Sequence, residues 1–309
     1  MCYSAQIEAD YRRFVHEYGA IMSLDEFTRM VVAYFDNPKM RVPKALTAPF
    51  LESPETDEER KIAEVIRARM AADELELLQE LAKQTERLEK AQQALAVKAT
   101  KKASEDARIA TNKIAWIKGK LEELNSKEIT PRDARIFPGW YAPVMVMENG
   151  RRVVKPMRYH CRPAGKPAFY DTQFPGIYCA RRDNLRGFWK GQYGHTHGLI
   201  LVDAFYENVT QPDGKHIVLE FRPDPPQTLL VACLWSRWTK PGEKDLLSFA
   251  IITEDPPPEI LEAGHDRCPI PIKPENIDAW LNADPGNLEA SDAILSDKPP
   301  VYYTHRDAT

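Results

Sequence analysis

The chain opens Met1-Cys2, and that pair of residue types permits a reaction that few positions in a protein support. Initiator Met is normally trimmed before a small residue, so the expectation is a mature N-terminal Cys2 with a thiol and a free α-amine on adjoining carbons. An α-amine titrates near about 7.7 to 8.0 and a thiol near about 8.5, which leaves both partly nucleophilic at neutral pH. Such a 1,2-aminothiol condenses with an aldehyde through nitrogen and closes a thiazolidine ring through sulfur. The condensation needs a proton donor for departing oxygen and a base for the ammonium. Glu207 is one candidate: it follows the apolar run Leu199–Tyr206, at the expected end of a core strand, where a carboxylate is costly to bury unless paired or used. A structural ion pair is the other reading of it. His265 is the second candidate, in an expected loop between Gly264 and Asp266, where a solvated or hydrogen-bonded imidazole is the alternative.

A third cluster is Arg181-Arg182-Asp183-Asn184-Leu185-Arg186 followed by Phe188-Trp189-Lys190, which interleaves guanidinium groups with aromatics. That composition holds phosphates and stacks unpaired bases, and it equally makes a basic surface turn. It lies in a stretch, residues 131–215, with thirteen Lys/Arg against seven Asp/Glu, inside a chain whose formal charge is -4. The acidic balance excludes a uniformly basic nucleic-acid coat but not a local patch. His195-Thr196-His197 has the spacing of two metal ligands without a third ligand set, so no metal is assigned and no cofactor is implied. The five cysteines are scattered with no CxxC pair, which fits a reducing compartment better than a disulfide framework or zinc knuckle. No signal-peptide pattern or membrane-length apolar run is present, and the expected location is cytoplasmic, associated with the nucleoid.

The elements that must position these residues follow from periodicity. Residues 5–18 have helical spacing that stops at Gly19, and Ser23-Leu24-Asp25-Glu26 reads as a capping box for a second helix. Asn37–Pro54, broken by Pro38 and Pro43, reads as an extended crossing. Residues 56–127 are rich in Ala, Glu, Lys and Leu, without Pro. Ile62, Ile66 and Met70 recur at steps of four and Leu81, Leu88 and Leu95 at steps of seven, which predicts two long helices. A reversal within 97–106 makes them an antiparallel hairpin; a continuous rod that dimerises is the alternative. From Pro131 the pattern is strands: a hairpin through Glu148-Asn149-Gly150, then 199–206, 216–221, 228–235 and 246–252, with Pro212-Asp213-Gly214 as a turn. A short helix is expected at 274–281 and a loose tail at 302–309. The fold class is therefore α+β: a mostly antiparallel, curved or barrel-like sheet with short flanking helices, interrupted by a helical hairpin. The expected division is 1–55 and 131–309 as one β-rich domain, with 56–130 as an insert that binds a partner or a second copy.

In order along the chain, Met1-Cys2, Tyr141-Ala142-Pro143, Tyr178-Cys179-Ala180-Arg181, Ala204-Phe205-Tyr206-Glu207, Ile251-Ile252-Thr253 and His265-Asp266-Arg267-Cys268-Pro269 form a combination. It resembles the SRAP family, the SOS-response-associated peptidase proteins that sense abasic sites in single-stranded DNA. The likeness leaves out the helical insert. It implies that Cys2 forms a thiazolidine crosslink with the ring-opened sugar, that Glu207 moves protons and His265 assists ring opening, and that Arg181 holds phosphate with Thr253 nearby. Arg182, Cys179, Asn184 and Trp189 join the expected DNA surface. The chain departs from the family pattern where Cys2-Tyr3-Ser4 stands for the usual Cys-Gly-Arg, Cys179 for an Asn, Asn208 for a Trp and Pro138-Gly139-Trp140 for Arg-Tyr-Asn. An N-terminal-nucleophile hydrolase, with the freed amine as base for the thiol, is a second reading; a DNA-binding scaffold without catalysis is a third.

Overall fold

The computed structural model describes residues 4–8, 10–37, 40–211 and 213–308, so Met1, Cys2, Tyr3, Pro38 and Pro212 of the sequence reading lie outside the described residues. In chain order the elements are β1 (Ser4–Ile7), α1 (Tyr11–Tyr18), β2 (Ile21–Met22), α2 (Leu24–Asp36), α3 (Lys44–Glu52), α4 (Asp57–Val97) and α5 (Lys101–Asn125). Then come β3 (Arg135–Ile136), β4 (Tyr141–Glu148), β5 (Arg151–Tyr159), α6 (Tyr170–Gln173), β6 (Cys179–Arg181), β7 (His197–Thr210), β8 (His216–Asp224), β9 (Leu229–Trp238) and β10 (Leu246–Glu254). The chain finishes with α7 (Pro258–Glu262), β11 (Cys268–Pro269), α8 (Ile277–Leu281), α9 (Leu288–Ser296) and β12 (Tyr302–Asp307). Two compact units result, one from residues up to Pro49 with Thr130 onward, the other Phe50–Ile129.

The first unit is built on one sheet that closes on itself. Strand β7 pairs antiparallel with β4 and β9, β4 with β5, and β9 with β10, while a short parallel pairing of β10 with β5 completes the ring. Its interior is filled by residues such as Val144, Met157, Cys233, Phe249 and Ile251, all fully buried, while Leu199 and Leu234 are buried on the outer face. The curved, mostly antiparallel α+β reading holds. The hairpin β4–β5 turns at Asn149 and Gly150, whose φ angles of 51° and 71° are those of the tight turn expected there.

Several local expectations fail for identifiable reasons. Residues 4–7 are a strand and not the start of a helix: Asp10 caps α1 by accepting from Arg12 N–H, and Ser4, Ala5, Gln6 and Ile7 are all buried between neighbours β7 and β3. Pairing on both edges outweighs the helical spacing that Ile7 shares with Tyr11 and Phe14. Ser23 precedes α2 without a side-chain cap bond. The crossing after Asn37 contains α3, with Pro49 inside it. The tail is not loose, since β12 pairs with β8 over Tyr302–Asp307 and Tyr303 is buried.

In the second unit, α4 starts with a capping box in which Thr56 Oγ1 accepts from Glu59 N–H and Glu59 accepts from Thr56 N–H. The chain reverses at Lys98–Thr100, inside the expected window, and Thr100 caps α5. Ion pairs Arg87–Asp106 (2.6 Å) and Lys113–Glu80 (3.4 Å) tie the antiparallel helices together, which rules out the single rod. The seam differs from the leucines expected to form it. Gln84 and Ala91 on α4 and Ala103, Ala110 and Ile117 on α5 are the buried positions, while Leu81, Leu88 and Leu95 flank them half-buried. Alanines at seven-residue steps let the backbones approach closely, which moves the longer side chains to the sides of the interface.

Candidate active site

Strand β7 does not end at Tyr206; it runs to Thr210, so Glu207 sits inside it, opposite Leu219 of β8 and with no exposed surface. A carboxylate at such a position requires a partner. His265 supplies it, with Nε2 3.1 Å from Glu207 Oε2, and is itself only 7 % exposed. The loop reading of His265 is right, but its ring is not solvated.

The loop is built to deliver that imidazole. Helix α7 ends in a turn where Gly264 N–H donates to Leu261 C=O and His265 N–H donates to Ile260 C=O. Gly264 has φ +93°, and a Cβ there would lie 2.8 Å from Val209 Cγ1 on the same face of β7 as Glu207. Beyond His265, the buried Arg267 bonds Asp255 Oδ1 at 3.0 Å, and β11 pairs with β10 at Thr253 and Glu254. The loop is therefore pinned on both sides of the imidazole.

The N-terminal strand reaches the same place. Ser4 pairs opposite Tyr206, the neighbour of Glu207, and Ala5 opposite Phe205. Sequence reasoning missed the residue that clamps this strand: Arg135, just after the helical insert, donates from Nε to Ser4 Oγ at 3.0 Å and lies 3.7 Å from the Tyr206 ring centroid. Arg222 and Tyr206 in turn donate to Gln6 Oε1. No local motif marks Arg135; only the pairing of β1 with β3 brings it there.

Of the residues expected on a DNA surface, Arg181 and Thr253 are in register on β6 and β10, with Pro269 of β11 on the other side of Thr253. Arg181 is exposed and makes two hydrogen bonds to Asp183, at 2.7 and 3.1 Å. It also lies in the field of Asp266 and Asp255, which together with Asp183 raise its already high pKa. An exposed pair of this kind is screened by water and holds the guanidinium only weakly. The Thr253 side chain is buried, and its hydroxyl has no hydrogen-bond partner among the described residues. Cys179 on β6 is buried. Burial also pushes the Cys161 and Cys268 thiols up to about 12, so these two are not thiolates near neutrality.

Two expected contacts are contradicted. Arg182 turns toward the protein, bonding Glu254 at 2.8 Å and the carbonyls of Asp292 and Leu295, so its guanidinium is engaged in fastening α9 to β10. Trp189 is 3 % exposed and cannot stack a base, because its indole is packed under Phe188, the aromatic that does reach the surface. Asn184 is exposed, with its Oδ1 accepting from Phe188 N–H at 3.1 Å.

His197 is structural. It is buried between Tyr193 and Trp280, accepts from Gly194 N–H at Nε2 and faces Trp280 C=O through Nδ1. Among the described residues no group of three His, Cys, Asp or Glu could hold a metal. Burial lowers the His197 pKa from 6.5 to about 4. The unfolded chain thus takes up a proton near pH 6.5 that the folded chain refuses until about pH 4. Stability is intact above pH 6.5 and falls by roughly 3 kcal/mol as pH drops through that window. Denaturant titrations from pH 7 to 4 should show this slope, flattened in His197→Gln.

No helix among the described residues is long and apolar enough to cross a membrane. The model of the family described as "SOS response associated peptidase (SRAP)" matches residues 83–304. The Bacillus subtilis protein named "Abasic site processing protein YoqW" is 30% identical over 95 residues, and its counterpart from Bacillus phage SPbeta gives the same figures. That match spans 30% of this chain and 42% of the relative's length. A crystal structure of a Bordetella bronchiseptica protein aligns with TM-score 0.48 and 17% identity over 60% of this chain and 90% of that one. One from Bacteroides thetaiotaomicron aligns with TM-score 0.45 and 14% identity over 55% and 74%. Because the family model spans well over half of the sequence, the chain belongs to the SRAP family.

Proposed function

We propose that this protein captures abasic sites in single-stranded DNA as a covalent adduct on Cys2. The observation that carries the reading is the buried Glu207–His265 contact, one residue along β7 from the position where the N-terminal strand pairs. In the sequence Cys2 stands two residues before Ser4, the residue that pairs with Tyr206 beside Glu207. The name of the Bacillus relatives, abasic site processing protein, supports the same substrate. So does the excess of Lys/Arg in residues 131–215, together with the exposed Arg181.

The chemistry balances on these groups. The open-chain sugar presents an aldehyde at C1′. The Cys2 amine adds to it, a proton delivered to the carbinolamine oxygen lets water leave, and the thiol adds across the resulting imine to close the thiazolidine. One C–N and one C–S bond form at C1′, and one water is released. Glu207 and His265, in contact, exchange the protons: one accepts from the ammonium while the other donates to oxygen. Arg181 holds a flanking phosphate. An abasic nucleotide has no base to unstack, so selection rests on phosphate contacts and on reach to C1′.

Incubation with abasic single-stranded DNA should yield a heat-resistant band of higher mass that Cys2→Ala lacks. Absence of the band with native protein overturns the proposal. Turnover of peptide or amide without an adduct would instead favour the N-terminal-nucleophile hydrolase, the activity that the family's name describes.

A further inference from the structure

Next to the candidate site is a concavity of about 190 Å³ lined by Ile177, Cys179, Arg181, Asn184, Phe188 and Trp189. It shares Arg181 with the proposed phosphate contact, and no step of the capture chemistry uses its other walls. Small-molecule pockets run from about 300 Å³ upward, so this one has room for a single planar ring system and little more.

We propose that it is a subsite for the unpaired nucleobase flanking the captured sugar, with the exposed face of Phe188 as its stacking platform. The inference rests on the capture reading. Phe188 is 38 % exposed, yet its ring is held: the Trp189 ring stands at 77° to it with 5.1 Å between centroids, and Tyr170 lies nearly parallel to it, 11° off, at 6.4 Å. A held, half-exposed aromatic offers a base its π-face with little ordering left to do. The rim supplies donors. Asn184 Oδ1 is occupied by Phe188 N–H, which leaves its amide N–H groups for the carbonyl and ring-nitrogen acceptors of a base edge, while the exposed Arg181 stands beside them for the phosphate. Gly187 keeps Asn184 in that turn, since a Cβ there would fall 2.4 Å from Asn184 Oδ1. Lys190, also exposed, adds positive charge beside the platform. An apolar protein segment would leave these donors unmet; a base meets them and brings the phosphate that Arg181 awaits.

The test compares initial crosslinking rates at sub-saturating oligonucleotide. Each substrate carries one abasic site, and its immediate neighbours are natural nucleotides, a tetrahydrofuran spacer on the 5′ side, or one on the 3′ side. Native protein should lose roughly 5- to 150-fold with the spacer on one side only, the range that one base–aromatic stack spans. Phe188→Ala should lose the same factor on the natural substrate and become indifferent to the spacer. Phe188→Tyr should keep the native pattern and melting temperature; Phe188→Ala also loses its contacts with Tyr170 and Trp189, so its spacer indifference, measured at a temperature where it is folded, is the readout that a mere loss of stability would not produce. If native protein crosslinks but Phe188→Ala crosslinks equally well, or stays as sensitive to the spacer as native, the subsite is wrong and the capture reading stands. If native protein crosslinks none of the oligonucleotides, both fall.

Discussion

Glu207→Gln should slow adduct formation by roughly a hundredfold to ten-thousandfold, the usual range for losing a positioned acid or base. It should leave the fold in place. The substitution is nearly isosteric in a site with no exposed surface, and an amide still reaches His265 Nε2 across the 3.1 Å contact. What the amide lacks is the ability to take up and release a proton. Glu207→Ala is the poorer probe, because it also empties the space beside His265 and loses packing. His265→Gln should lower the rate over a similar range. The Glu207→Gln/His265→Gln double variant should fall far short of the product of the single losses, because two residues that exchange one proton fail as a unit. Rates by quenched gel assay and melting temperatures by calorimetry separate the chemical loss from a folding defect. A Glu207→Gln protein that crosslinks at the native rate would remove Glu207 from the proton path.

The second large effect is expected at a residue that touches no ligand. Gly264→Ala puts a side chain on a backbone with φ +93° and 2.8 Å from Val209 Cγ1, so the turn carrying His265 must move. Strain of this type costs about 1–3 kcal/mol. The rate should fall by more than the stability does, because a shift of about 1 Å in a proton-transfer group is enough to cost roughly a hundredfold. Adding Val209→Ala removes the clash but not the positive φ, and should restore part of the melting temperature and part of the rate. A Gly264→Ala protein as active and as stable as native would mean that the loop tolerates displacement and that the His265 position is not critical.

These two residues also show how unevenly the site was legible in sequence. Glu207 and His265 stand 58 positions apart, and nothing local links them; order along the chain suggested the pair, and only the closure of the sheet puts them in contact. Strong local chemistry was readable: the Asn149-Gly150 turn, the existence of the four strands between 197 and 254 and the long Ala/Glu/Lys-rich helices were all expected, although β7 runs four residues past its expected end. What failed depended on long-range partners. Residues 4–7 follow their pairing with β7 and β3 and not their own spacing, and the polar tail is ordered by β8. The aromatic and basic cluster after Arg181 was found, but periodicity cannot tell which of two adjacent rings is inside, and Trp189 and Phe188 came out exchanged. Arg182 and Arg181 divided in the same way, one packed against α9 and the other exposed beside Asp183. Arg135 carries no motif at all.

The central claim is that carbon C1′ of an abasic sugar ends bonded to nitrogen and sulfur of one residue. Native protein incubated with abasic single-stranded DNA, digested with protease and nuclease, and mapped by mass spectrometry tests it directly. The account predicts an N-terminal peptide beginning at Cys2, without Met1, heavier by the sugar phosphate less one water, whose thiol no longer reacts with an alkylating reagent. A modification found on any other residue, or an adducted peptide that still carries Met1, would contradict it.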